Sequence, residues 1–195
     1  GPLASSYAVP TNLRQIYNQL TRLKMEWDDN LDEAVPEGEL AESWEQVDDV
    51  TLTFKIRQGV KFHDIAPVNG RELTTEDVKY TFEAYRDTSS IAGYFDNVDA
   101  FETPDAHTIT IKFRQPSAYF LNLISGPATS ILPKELDEQG RRDNPIGTGP
   151  FQLKGGVFKP NQEVTYVRNP NYWEVRDGIQ LPYLDSVTMV NPPDP

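Results

Sequence analysis

The chain has 195 residues, 37% of them hydrophobic, with no cysteine, 16 prolines and a formal net charge of −12. The missing thiols exclude disulfides, thiol catalysis and cysteine-held metals. The charge argues against nucleic acid and against an anionic membrane surface as main partners, and no apolar run is long enough for a membrane span. The length suits one domain, or one domain with a small subdomain, with many turns.

In chain order, Leu13, Ile16, Tyr17 and Leu20 recur at helical spacing, so residues 13–23 are expected to be a helix. Residues 28–38, acidic and interrupted by Pro36, are expected to be a loop. Residues 40–45 follow, and Asp48-Asp49 marks a turn. Residues 51–56 alternate, with Leu52, Phe54 and Ile56 on one face, which predicts a half-buried strand. Gly59 breaks it, 60–62 resume it, and 63–73 form a loop with an Asn69-Gly70 turn.

Thr74 followed by Asp77 is a capping-box-like start to a helix reaching about Arg86, with Val78, Phe82 and Tyr85 on one face. Residues 89–103 show no regular period. Residues 108–113 alternate again, with Ile109, Ile111 and Phe113 inward. A short apolar helix is expected over 116–124, ended by Gly126-Pro127. Residues 131–135 are expected to be a strand end turning into a brief helix, and 137–145 a charged, exposed loop. Residues 151–153 and 164–167 predict a hairpin, and 184–190 a last strand with Leu184, Val187 and Met189 as its apolar points. Pro192-Pro193-Asp194-Pro195 is extended, linker-like chain. The sum is an α/β chain, of mixed α+β character, with several non-adjacent strands.

Few residues suggest chemistry. His63-Asp64 has the composition of an acid–base pair or a metal site, but the only other histidine, His107, has no ligand spacing to it, and a structural hydrogen bond is the expected role. Gly147-Thr148-Gly149 lacks the Gly-Lys-Ser/Thr of a phosphate loop and reads as a tight turn entering a strand. Trp44, Tyr172 and Trp173 are expected to pack in the core. No Gly-x-Ser-x-Gly elbow is present, and the Glu42/Glu45 and Asp48/Asp49 clusters are read as a solvated face.

Seven segments in order carry a resemblance: Leu40-Ala41-Glu42-Ser43-Trp44, the run from Thr53 to Asp64, Thr74-Thr75-Glu76-Asp77-Val78, Ile131-Leu132-Pro133-Lys134, Gly147-Thr148-Gly149-Pro150-Phe151, Asn169-Pro170-Asn171-Tyr172-Trp173, and Pro182-Tyr183-Leu184-Asp185-Ser186-Val187. Together they resemble the extracytoplasmic solute-binding proteins of family 5, the receptors of peptide, nickel and oligosaccharide ABC importers. Two departures stand out: Ile65 occupies a position where the family has Gly, and the loop around Val68-Asn69-Gly70-Arg71 carries extra residues.

The resemblance implies the first lobe of a two-lobed periplasmic-binding-protein-like fold (class II, cluster C), truncated before its second lobe. Residues 1–87 would be the first part of lobe I, 88–145 an inserted smaller subdomain, 146–190 a return to the lobe core, and 191–195 a linker. It implies a non-enzymatic receptor, periplasmic or extracellular and in the parent lipid-anchored or free, that captures peptides and delivers them to an ABC permease. An oligosaccharide receptor and a sensory receptor outside transport are the alternatives. It implies no cofactor, no catalytic residue and no metal ligand, and an edge exposed by truncation through which the chain dimerises. By approximate position the ligand-facing residues would be Tyr7, Ser90, Ile91, Tyr94, Ala128, Thr129 and Ser130. Neither Trp in 89–94 nor Arg in 128–130 is present, which speaks against a nickel chelate, whereas the small hydroxyl residues suit a peptide backbone or a sugar.

Overall fold

A computed structural model describes residues 13–24, 35–155 and 163–190. The linker-like tail over 192–195 and Tyr7 lie outside the described residues, as does most of the acidic loop.

The elements in chain order are α1 (Leu13–Ile16), β1 (Thr21–Leu23), β2 (Pro36–Gly38), β3 (Ala41–Asp48), β4 (Thr51–Ile56), α2 (Thr75–Thr88), β5 (Val98–Asp105), β6 (Thr108–Phe113), α3 (Phe120–Ile124), α4 (Glu138–Asp143), β7 (Phe151–Leu153), β8 (Val164–Arg168), β9 (Val175–Arg176), β10 (Ile179–Gln180) and β11 (Ser186–Met189). Four of the strands form an antiparallel sheet in the order β3-β4-β6-β5. Its centre is the pair of strands that alternate most cleanly. Phe54 of β4 faces Ile109 of β6, Leu52 faces Ile111, and all four are buried. A two-residue period puts every second side chain on one face, so two such strands in register bury one continuous apolar surface.

Helix α2 covers that surface with Val78, Phe82 and Tyr85, all buried. Its start is set by Asp77, whose carboxylate accepts from Thr74 N at 3.0 Å and from Thr74 Oγ1 at 3.2 Å. The same carboxylate, fully buried, takes a bidentate bond from Arg71 at 2.6 and 2.8 Å. An aromatic cluster fills the space between helix and sheet. Phe95 lies 5.2 Å from Phe82, 6.3 Å from Phe101 and 6.0 Å from Phe120 between ring centroids, and Phe113 lies 4.9 Å from Phe120.

Several local expectations are corrected. Helix α1 stops at Ile16, and 21–23 form strand β1, paired with β2. Tertiary partners take the backbone groups that would extend the helix: Asn18 O accepts from Ile131 N, Gln19 O from Leu40 N, and Leu20 O from Ala41 N, at 2.9–3.0 Å. Ile16, Tyr17 and Leu20 are buried as their spacing suggests, while the Leu13 side chain lies outside the described residues. Strand β5 begins within the 89–103 stretch that shows no regular period. Two register shifts interrupt its pairing with β6, so its buried residues Val98 and Phe101 are three apart, not two. The apolar helix begins at Phe120, not 116. Residues 131–135 form no strand or helix, and the expected loop at 137–145 contains α4, capped by Asp137, which accepts from Gly140 N at 2.7 Å.

The predicted hairpin over 151–168 forms, and β11 joins it in the order β11-β8-β7. Leu184, expected inward, is 61% exposed because it precedes the paired segment. A further small hairpin, β9–β10, turns through Asp177 (φ 51°) and Gly178 (φ 77°), the left-handed pair that an Asp-Gly turn supplies. The division expected at 87/88 falls inside one sheet, since β4 from one side pairs with β6 from the other.

Candidate functional site

The motif residues meet at a joint around 16–19. A Cβ on Gly149 would lie 2.5 Å from Ile16 C, and one on Gly147 would lie 2.6 Å from Tyr17 Cδ1. Neither glycine has a positive φ, so these positions are glycine because another backbone passes against them, not because a tight turn demands it. That contact is sealed by Gly149 N donating to Ile16 O at 2.8 Å.

His63 closes the joint from the other side. Its Nε2 donates to Gly149 O at 3.1 Å, its Nδ1 accepts from Gly147 N at 3.3 Å, and its own N donates to Gly147 O at 2.9 Å. The ring is fully buried, and burial lowers its pKa from 6.5 to about 4, only partly opposed by the bond to Gly149. A neutral imidazole with both nitrogens engaged is a structural strut, as expected for it. Among the described residues no group of three His, Asp or Glu could hold a metal. Asn169 adds a bond from Nδ2 to Gly149 O at 2.9 Å, while Tyr172 beside it is buried.

A buried polar hub adjoins this joint. Glu39 Oε1 accepts from Asn18 Nδ2 at 2.8 Å and Oε2 from Gln19 N at 2.7 Å. Asn18 Oδ1 accepts from Thr148 Oγ1 at 3.0 Å and from Trp173 Nε1 at 3.5 Å. Gln19 Nε2 donates to Ser130 Oγ at 3.3 Å, and Thr21 shares a 2.8 Å bond with Ser125. Burial raises the Glu39 pKa above the ordinary carboxylate value, against the bonds from Gln19 and Asn18. At the hub's edge Arg22 bonds Glu174 in bidentate fashion at 3.0 and 3.2 Å and Glu37 at 2.7 Å. Burial works against ionising Glu174, and the Arg22 bond holds its pKa below the ordinary value nonetheless.

The residues expected to face ligand fall on two segments that both adjoin α3. Ser90 and the start of 91–95 follow α2, and Ile91 and Tyr94 are half-buried against the core while Ser90 is exposed. The segment shares Phe95 with α3 through Phe120. Ala128 is exposed just after α3, whereas Thr129 and Ser130 are buried. Thr129 Oγ1 reaches Ile124 O at 2.6 Å, and Ser130 Oγ donates to Pro127 O at 2.9 Å, so both hydroxyls bond backbone carbonyls of their own segment. Tyr7 lies outside the described residues. Glu39, Asn18, Gln19 and Thr148 carried no pattern that sequence reasoning uses, because polar residues become a hub only when distant segments meet.

On the outer surface, Glu42, Arg57, Gln58, Val60 and Trp173 line a depression of about 390 Å³. Arg57 lies over the Trp173 ring at 5.0 Å and donates from Nε to Glu39 O at 2.7 Å. Trp44, the remaining motif aromatic, is half-buried against Phe54 at 6.4 Å between centroids.

A mixed sheet-and-helix lobe, with its motif residues spent on holding short connecting segments in place, is the architecture of part of a periplasmic binding protein. The chain belongs to the bacterial extracellular solute-binding proteins of family 5, whose middle-region family model matches residues 35–195. It is 33% identical over 164 residues to di/tripeptide-binding protein 2 of Pseudomonas aeruginosa (strain UCBPP-PA14), an alignment covering 72% of this chain and 30% of that protein. It is 31% identical over 156 residues to the glutathione-binding protein GsiB of Escherichia coli (strain K12), covering 76% of this chain and 28% of that protein. The periplasmic binding protein DppA of Helicobacter pylori, solved with the peptide STSA, superposes with a TM-score of 0.72 at 26% identity over 92% of this chain and 37% of its own. The chain thus spans about 30% of the length of the relatives it matches.

Proposed function

We propose that this chain forms one wall of a receptor that captures short peptides outside the cytoplasm and hands them to an ABC permease. The observation that carries this reading is similarity above 30% to a di/tripeptide-binding and a glutathione-binding protein, in a family whose members are extracellular. Two lobes would close on the solute as a hinge. The role assigned to this wall is recognition without chemistry: Ser90, Ile91, Tyr94 and Ala128 present contact surface, and Thr129 and Ser130 shape the backbone behind it. For the internal layout we propose a core of residues 13–24 with the β7–β8–β11 sheet, and a subdomain built on the four-stranded sheet.

The reading is tested by denaturing the full-length receptor after mild purification and weighing what is released. Peptide masses support it, and hexose-spaced masses overturn it in favour of an oligosaccharide receptor. A single wall offers only part of the contact area behind micromolar capture, worth about −8 kcal/mol, so the chain alone is expected to bind very weakly; micromolar binding in calorimetry would refute that. Dimerisation belongs to the same proposal. Among the described residues strand β11 is an edge strand beside the exposed Tyr183, Leu184 and Val190, and unpaired edges template association. A clean monomer by light scattering at high concentration counts against it. The receptor is placed in the periplasm or on the outer surface, and detergent-phase partitioning of the full-length protein tells lipid-anchored from free.

A further inference from the structure

Glu39 has an unusual position. Its residue is 6% exposed, and among the described residues no cation lies within ion-pair distance of its carboxylate. The charged and titratable groups around it act at longer range or on other atoms. Arg14 of α1 and Arg22 of β1 attract it electrostatically, Arg57 bonds its backbone carbonyl, Tyr172 interacts with it electrostatically, and Glu174 is paired with Arg22 and bonded by Tyr172. A buried carboxylate without an ion pair is costly to ionise, and chiefly its hydrogen bonds offset that cost. Its presence is therefore better explained by geometry than by stability.

The geometry leads directly to the wall. The two carboxylate oxygens accept from two donors of adjacent residues, Asn18 Nδ2 and Gln19 N. Those residues in turn hold the segment after α3: Asn18 O accepts from Ile131 N at 2.9 Å, and Gln19 Nε2 donates to Ser130 Oγ at 3.3 Å. Only an ionised carboxylate accepts on both oxygens without presenting a proton. A glutamine replaces one of them with an NH2 that faces another donor, and protonation weakens one of them as an acceptor.

We propose that Glu39 is a positioning residue for the wall at 128–130: its carboxylate fixes the 18–19 segment, and that segment sets where Ser130 and Ile131 stand. The positioning itself is independent of any ligand. Its consequence for binding rests on the peptide-receptor reading above.

The test has two arms. In the first, amide resonances of this chain are followed from about pH 8 to about pH 4 in the wild type and in Glu39→Gln. The expected result is a shared inflection of the Gln19, Ser130 and Ile131 amides in the wild type, above the ordinary glutamate range. In Glu39→Gln that inflection is absent and the same amides are displaced, with Tm lowered by the donor–donor contact the amide introduces. Ser130 and Ile131 amides that neither titrate in the wild type nor move in the variant overturn the proposal, and the wild-type titration decides it even if the variant fails to fold. In the second arm, the full-length receptor is titrated with dialanine and trialanine. About tenfold weaker binding by Glu39→Gln is expected at a temperature where circular dichroism shows both receptors fully folded, a pattern that loss of folded protein alone does not produce. Equal affinity overturns the link to binding. A wild-type receptor that binds neither peptide refutes the peptide reading, while the first arm still decides the positioning.

Discussion

Replacing His63 with glutamine removes one titrating group from the joint between 16–17 and 147–149, and its consequence is worked most clearly as a difference between two pH profiles. In the folded chain burial lowers the imidazole pKa from 6.5 to about 4. The unfolded chain therefore takes up the proton first as the solution is acidified. The stability held by the neutral ring is complete above the unfolded value and is lost as pH falls from about 6.5 toward about 4. Linkage puts that loss at about 2 kcal/mol by about pH 5 and about 3 kcal/mol by about pH 4.

Glutamine does not titrate. It can donate to Gly149 O but cannot also reach back to accept from Gly147 N, and leaving that buried donor unpaired costs about 1–3 kcal/mol. The wild type is therefore expected to be the more stable protein at neutral pH by about that amount, with the advantage shrinking or reversing on acidification. Urea unfolding followed by tryptophan fluorescence, at constant ionic strength, measures both proteins. Subtracting the profiles cancels the carboxylates they share, among them Glu39, Glu135 and Glu174, whose shifts differ in direction. A wild-type-minus-variant difference constant within about 0.5 kcal/mol between about pH 7 and about pH 5 refutes the reasoning, as does a His63 imidazole resonance titrating at its ordinary value.

Three further outcomes follow from packing. Gly149→Ala places a methyl 2.5 Å from Ile16 C and 2.6 Å from Gln15 O, and because backbone cannot step aside as a side chain does, a loss of about 3 kcal/mol or outright misfolding is expected; an unchanged melting temperature refutes the close approach. Phe95→Ala empties the centre of the ring cluster joining Phe82, Phe101 and Phe120 and should cost about 3–5 kcal/mol in urea unfolding, where a cost below about 1 kcal/mol would show that the cluster relaxes to fill the gap. Arg71→Ala strips the bidentate partner from the fully buried Asp77 and breaks the 2.6 Å pair with Glu135. A loss of about 3–5 kcal/mol is expected, and the double variant with Asp77→Asn should recover part of it; no recovery would mean that the stranded charge is not the cause.

Strands β4 and β6 and helix α2 were readable from local pattern because each buries one face, and a single buried face leaves a period of two or of 3.6 in the chain. The same holds for the Asp77 cap, where the partners stand three residues apart. The family was also readable, since seven short motifs keep their order. What tertiary structure alone decided lies where the partners are remote. Residues 17–20 carry helix-like spacing but are buried, and 18–20 give their carbonyls to 39–41 and 131. Strand β5 loses its alternation to two register shifts against β6, and Gly147 and Gly149 turn out to make room for another backbone rather than for a turn. The hub around Glu39 joins residues up to 155 positions apart. Periodicity encodes which face of an element is buried; only the folded chain shows which distant donors and acceptors that burial brings together.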